Sequence, residues 1–203
     1  MSAELYPQFP EKPITVVLCG VGGQGAITAA DLLARAAMAE GYDVKVSEIH
    51  GMAQRGGSVS TTVRFGTSVS SMVCDFGQAD VLISFELMEA LRNLPFMAAT
   101  GHAVVNDASI LPMTVLSGKA SMPADLDQRL RGFGDGAVTI FDAEDVACKA
   151  GNRKCSNVAL LGAAASHLPI STDSWKAAIE GRVPPKTLEA NLAAFDLGQA
   201  LSR

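Results

Sequence analysis

Ile14-Thr15-Val16-Val17-Leu18-Cys19 runs straight into Gly20-Val21-Gly22-Gly23-Gln24-Gly25, and Ala26 to Glu40 follows without a break. The first six residues are apolar and rich in β-branched side chains. Such a run reads as a strand buried on both faces, as in a parallel sheet. The glycine-rich run is a turn, and Ala26 to Glu40 places Ile27, Ala30, Ala34, Ala37 and Met38 at helical spacing. Gly41 stops the helix, because a left-handed C-terminal residue costs glycine no Cβ clash. Tyr42 to Ser47 is a second strand. Together these elements predict an α/β domain with parallel strands and a right-handed crossover.

The pattern then departs from a plain dinucleotide-binding fold. Ser58 to Phe65 alternates, with Val59, Thr61, Val63 and Phe65 on one face. Gly66-Thr67-Ser68 is a turn signal, and Val69 to Val73 resumes strand-like sequence. These runs predict a β-hairpin where a crossover helix would otherwise stand. Val81 to Phe85, Ala103 to Asn106 and Val138 to Phe141 are further strands. Glu86 to Asn93 is a short helix closed before Pro95. Pro112 to Gly136, rich in Pro, Gly and Asp, reads as an extended insertion. From Glu144 onward the chain is helical: Glu144 to Lys149, Asn157 to Leu168, Thr172 to Ile179 and Thr187 to Leu201, with Pro169, Pro184 and Pro185 between the later helices. The expected architecture is one domain over 1–203. It has a Rossmann-like three-layer α/β core at 11–150, a mostly parallel sheet with an inserted β-hairpin, and a helical C-terminal part at 151–203.

Composition narrows the function classes. With 203 residues, 48% hydrophobic and 18% charged, the chain suits one sizeable core. A net charge of -5 and no run of Lys or Arg give no footprint for nucleic acid. No segment is long and apolar enough to span a bilayer. Met1 to Pro13 carries Glu4 and Glu11 and has no apolar signal-peptide core, so a cytoplasmic protein is expected. Cys19, Cys74, Cys148 and Cys155 form no C-x-x-C pair, which predicts reduced thiols, no metal site and no iron–sulfur cluster in this chain. Gly134-Asp135-Gly136 reads as a turn, since no Asn-Asn pair follows it. His102, His167 and Trp175 read as structural. The eight methionines fit adaptable packing or a partner surface.

Two polar segments carry the candidate site. Gly20, Gly22, Gly23, Gln24 and Gly25 lie in a G-x-G-x-x-G context between strand and helix. There Gly20 permits a tight turn, Gly22 close approach of a ligand, Gly25 close packing of helix on strand, and the helix start can hold an anion. Glu48, past the second strand, stands where an acid would meet a ribose hydroxyl. A free-standing NAD- or FAD-binding protein is therefore one open reading, and glycines that serve packing alone are another. The second segment is Glu48-Ile49-His50-Gly51-Met52-Ala53-Gln54-Arg55-Gly56-Gly57-Ser58. Packing does not call for His50, Gln54 and Arg55 together, and Gly56 and Gly57 let backbone pass close to a ligand or partner. Arg can grip a carboxylate or phosphate bidentately. A tight loop with Arg55 paired to Glu48 is the plain alternative.

Gly20 to Gly25 followed by Ser47 to Val59 resembles the gamma-type domain of 2-oxoacid:acceptor oxidoreductases, and within that group the beta subunits of indolepyruvate:ferredoxin oxidoreductases. Further matches run in register: Val63-Arg64-Phe65-Gly66, Ala79 to Ile83, Phe85-Glu86, Glu89 to Arg92, Gly151-Asn152, Asn157 to Gly162, and Asn191, Ala194, Phe195 and Gly198. The His50 to Ser58 run is the specific part, and Pro112 to Gly136 matches nothing.

The resemblance implies a subunit of an enzyme that oxidatively decarboxylates a 2-oxoacid with coenzyme A, giving acyl-CoA, carbon dioxide and reduced ferredoxin. It implies that a large alpha subunit carries thiamine diphosphate, magnesium and the 4Fe-4S clusters, and that this chain binds no cofactor alone. It further implies that Arg55 meets a coenzyme A phosphate or the oxoacid carboxylate. His50 would hydrogen-bond the ligand or titrate, and Gln54 and Ser58 would orient neighbours. An isolated subunit is expected to form a homodimer through the apolar surface meant for the alpha subunit.

Overall fold

A computed structural model describes residues 12–50, 57–134 and 136–202. Its elements, in chain order, are β1 (Ile14–Val21), α1 (Ala26–Ala39), β2 (Asp43–His50), β3 (Ser58–Gly66), β4 (Ala79–Ser84), α2 (Leu87–Asn93), β5 (Met97–Asn106), α3 (Met113–Leu116), α4 (Leu126–Arg131), β6 (Val138–Phe141), α5 (Ala143–Lys149), α6 (Ser156–Ala165), α7 (Thr172–Glu180) and α8 (Leu188–Ala200).

The described strands form one six-stranded sheet in the order β2-β3-β1-β4-β5-β6. β1, β4, β5 and β6 pair in parallel, whereas β3 runs antiparallel to both β1 and β2. The expected α/β fold with a mostly parallel sheet is therefore present, with helices on both faces.

Alternation along the strands divides the core in two. Val16, Leu18, Val81, Ile83 and Val104 face one layer, which holds α1, α6 and α7. Val17, Cys19, Leu82, Ala103 and Val105 face the other, with α2 and α4. Both sets are apolar, which is why these strands lack the polar alternation of a half-exposed sheet. Trp175, Phe195 and Phe65 are fully buried in the first layer. Each contributes about 2–3 kcal/mol of transfer free energy.

Two local expectations change. The hairpin partner of β3 is β2, with His50 opposite Val59 and Asp43 opposite Gly66. Residues 69–73 form no strand; that segment is held by side chains, with the Val69 amide donating to Asp43 Oδ2 at 2.8 Å and Arg64 donating to the carbonyls of Ser71 and Val73. β-Branched residues at 69–73 satisfy a local propensity, but β1 already occupies the other edge of β3. The 112–136 segment is not extended throughout. It contains α3 and α4, and α4 buries Leu126 and Leu130 beside α2. Among the described residues no helix is long and apolar enough to cross a membrane.

Candidate functional site

Strand order positions the site. β1 and β4 are parallel neighbours, but the chain leaves β1 into α1 on one face and leaves β4 into α2 on the other. The loops part there and open a crevice at the carboxyl ends of the strands, the usual ligand position in such sheets. A cleft of ≈ 770 Å³ lies at this point, lined among others by Gly23, Gly25, Phe85, Asn106, Lys154 and Asn157. A smaller cavity of ≈ 330 Å³ adjoins it, sharing Gly23, Gly25 and Thr28 and reaching Gly22, Glu48 and Val59.

The glycine loop is shaped by what packs against it. A Cβ on Gly20 would stand 2.8 Å from both Gln24 Oε1 and Phe85 Cβ, so a side chain does not fit. Gly25 caps α1 with φ 89°, in the left-handed region, and a Cβ there would meet Asn157 Nδ2 at 3.1 Å. The close approach at Gly25 is thus to α6, not to the sheet. Ala29 makes the first helical bond, to the Gly25 carbonyl at 3.0 Å, so the amides of Ala26, Ile27 and Thr28 lie ahead of it without an intrahelical acceptor. No side chain caps this end. Open amides at the positive end of a 14-residue helix favour an anion.

Gln24 folds back across its own loop. Its Oε1 accepts from the Val21 amide at 2.7 Å, and its Nε2 donates to the Phe85 carbonyl at 2.9 Å. Both ends of this amide stitch β1 to the end of β4. The Gly22 amide donates to the Gly57 carbonyl at 2.8 Å, which joins the glycine loop to the second segment. β3 lies between β1 and β2, so the segments after β1 and β2 do not follow adjacent strands. Gly57 still reaches the glycine loop, because β3 runs antiparallel to β1 and starts where β1 ends. Glu48 is exposed on β2 and lines the smaller cavity. His50 ends β2 opposite Val59. Gln54, Arg55 and Gly56 lie outside the described residues.

Other residues at this edge matched the family resemblance or lay near it without a site role. Asn157, in the first turn of α6, is buried, and its Oδ1 accepts from the Val158 amide at 3.0 Å. Its Nδ2 has no acceptor among the described residues and borders the larger cleft. Asn106 donates to the Phe85 carbonyl at 3.2 Å and accepts from the Ala143 amide at 2.8 Å, fixing the ends of β4 and β5. Glu86 caps α2, accepting from the amides of Met88 at 3.1 Å and Glu89. Burial pushes the Glu86 carboxyl up, against the pull of those amides. Glu89 is also buried, and it accepts from the Ser58 hydroxyl at 2.5 Å and pairs with Arg92. The available signal was Glu86, Glu89 and Asn93 at helical spacing beside Leu87, Ala90 and Leu94, a polar line along an apolar stripe.

Among the described residues no group of three or more His, Cys, Asp or Glu could hold a metal ion. Cys19 and Cys155 are buried, Cys74 is half-buried and Cys148 is exposed, all as free thiols.

Residues 15–201 match the sequence model of the family described as Pyruvate ferredoxin/flavodoxin oxidoreductase. Indolepyruvate oxidoreductase subunit IorB of Thermococcus kodakarensis is 44% identical over 193 residues, covering 92% of this chain and 95% of that protein. The subunit of the same name from Pyrococcus horikoshii is 42% identical over 191 residues, again covering 92% and 95%. In fold, the chain is similar to the gamma subunit of a keto/oxoacid ferredoxin oxidoreductase from Geobacter sulfurreducens, with TM-score 0.69 and 23% identity, covering 93% of this chain and 98% of that one.

Proposed function

This chain belongs to the pyruvate ferredoxin/flavodoxin oxidoreductase family, and from that premise we propose that it is the cluster-free subunit of a thiamine-diphosphate-dependent 2-oxoacid:ferredoxin oxidoreductase. The substrate is an aryl pyruvate of the indolepyruvate type. The full-length likeness to indolepyruvate oxidoreductase subunits, at 44% and 42% identity, carries this reading. A large alpha subunit holds the thiamine diphosphate, magnesium and 4Fe-4S clusters, and electrons leave to ferredoxin through the complex. The whole of 1–203 acts as one gamma-type domain, in the cytoplasm.

Thiamine diphosphate supplies the carbanion chemistry at the keto carbon. The residues of this chain bind and orient. The amides at the start of α1, after Gly20, Gly22, Gly23 and Gly25, donate to an anionic group of coenzyme A or of the oxoacid. Gln24 keeps that loop against β4. Glu48 lines the adjoining cavity, His50, Gln54, Arg55 and Gly56 serve the same ligand, and Gly57 and Ser58 hold the start of β3 beside the glycine loop. Arg55 meets a phosphate or carboxylate bidentately, and no residue here takes part in bond making.

A free-standing dinucleotide protein is not favoured. β3 stands between β2 and β1, so the strands that carry Glu48 and the glycine loop are not neighbours. In a dinucleotide-binding half those strands are neighbours.

The experiment is coexpression with the large subunit, then an indolepyruvate- and coenzyme A-dependent dye-reduction assay with and without this chain. The reading requires both a stable complex and full activity to depend on this chain. A large subunit equally active alone would overturn it. Within the complex, Arg55→Ala lowers turnover and leaves this subunit folded. Normal turnover with unchanged apparent affinities for coenzyme A and oxoacid removes that role.

A further inference from the structure

We propose that Glu89 is a positioning residue that holds the start of β3, at Gly57 and Ser58, in register with the glycine loop, an inference that rests on the functional reading above. Glu89 lies on α2, beneath the sheet and on the opposite face from α1, so it touches neither cleft. Its residue is 2% exposed in a stripe with Leu87, Ala90 and Leu94. A Leu or Met would fill this place with less desolvation, because a buried carboxyl pairs at a net cost unless its geometry is used.

The bonds of Glu89 define that use. Its Oε2 accepts from the hydroxyl of Ser58, 31 residues away in sequence and the first residue of β3. Its Oε1 accepts from Arg92. Its backbone carbonyl accepts from Cys19 Sγ of β1 at 3.5 Å and from Asn93 Nδ2 at 2.9 Å, and its amide donates to Glu86. One residue therefore ties α2 to both β1 and β3 at the edge where the site lies.

Ser58 stands opposite Val21, the last residue of β1, and the preceding Gly57 carbonyl receives the Gly22 amide at 2.8 Å. The chain of contacts is Glu89 to Ser58, Ser58 to Gly57, and Gly57 to Gly22. Fixing the Ser58 side chain fixes the start of β3, and with it the distance of the Gly57 carbonyl from the glycine loop. Glu89 thus sets that spacing without touching a ligand.

The test uses the complete complex with three substitutions in this chain. Glu89→Gln keeps an oxygen that accepts the Ser58 hydroxyl, Glu89→Leu removes the acceptor at similar volume, and Ser58→Ala removes the donor. Hydrogen exchange is followed in peptides spanning 14–26 and 57–66, together with KM for coenzyme A and kcat. Glu89→Leu and Ser58→Ala are expected to speed exchange in both peptides and to raise KM about tenfold, with kcat changed less than about twofold, as loosened positioning does. Glu89→Gln stays near wild type. Wild-type exchange and KM in folded, assembled Ser58→Ala overturns the proposal, and this variant decides the matter if Glu89→Leu does not fold. Loss of kcat with loss of assembly, at unchanged KM in what remains, also overturns it, since that is a structural role alone. A wild-type complex with no 2-oxoacid turnover overturns the functional reading instead, while the exchange comparison still decides the tether.

Discussion

The amide of Gly22 donates to the carbonyl of Gly57 at 2.8 Å, so the loop that follows β1 and the residue that precedes β3 are bound backbone to backbone. The glycine loop and the start of β3 are thereby joined in space. The Gly23 amide, one residue on, has no acceptor among the described residues. Amide exchange resolved by residue is therefore expected to be at least about tenfold slower at Gly22 than at Gly23, because exchange follows local opening of the bonded amide. Equal rates would mean that the glycine loop and the start of β3 move independently.

Gly162 and Gly198 let α6 and α8 cross almost backbone to backbone. A Cβ on Gly198 would stand 2.0 Å from the Ala159 carbonyl oxygen, and one on Gly162 would stand 2.1 Å from that of Phe195. Neither backbone can yield without parting the helices. Gly198→Ala is expected to cost about 3 kcal/mol, at the upper end of overpacking effects. Urea unfolding followed by Trp175 fluorescence measures this, since Trp175 is the single tryptophan, is fully buried and packs on Phe195. A loss below about 0.5 kcal/mol, the scale of a neutral surface change, would show that the helices separate freely.

His102 and His167 stack at a ring-centroid distance of 3.7 Å, and His102 Nε2 also meets Thr139 Oγ1 at 2.9 Å. Burial, and then the neighbouring His167, lowers His102 to about 4, and burial lowers His167 as well. Below about pH 6.5 the unfolded chain takes up protons that the native pair refuses. Stability is thus expected to fall between about pH 6.5 and 4 and to flatten below, while above this window the pair adds no slope. Urea midpoints across that range check this, and His102→Asn should reduce the fall. An identical pH profile in the variant would exclude the pair as its source.

Burial pushes the Cys19 thiol up to about 12, with Glu89 and Glu86 nearby acting in the same direction and Ser84 opposing them. Thiolate is the reactive form. In a brief iodoacetamide pulse at pH 8, read out by mass mapping, exposed Cys148 is expected to label first and Cys19 only after unfolding. Early labelling of Cys19 in folded protein would mean that α2 lifts from the sheet.

The elements of this fold were legible because each is written in local periodicity. Ile14 to Cys19, Ala26 to Ala39 and Val81 to Ser84 form the expected elements, but α1 turns Ile27 and Met38 outward and buries Ala29, Leu32, Leu33 and Ala36 instead. The glycine loop was legible too, since it lies between a strand and a helix as its spacing indicates; Gln54, Arg55 and Gly56 lie outside the described residues. The 69–73 run was misread for the converse reason. Its β-branched residues carry strand propensity, but pairing depends on a free strand edge, and β1 had already taken that of β3.

What tertiary structure decided is which distant groups meet. Asn157 beneath Gly25, Glu89 beneath Ser58, and β3 between β1 and β2 all join residues far apart in the chain. A hydrogen bond or a strand pairing leaves no periodic trace when its partners lie in different segments. Sequence by itself determined the elements and the candidate loops. Their convergence on one sheet edge, and the buried carboxyl that braces them, follow from packing, because only packing sets the distances between residues that the chain does not connect.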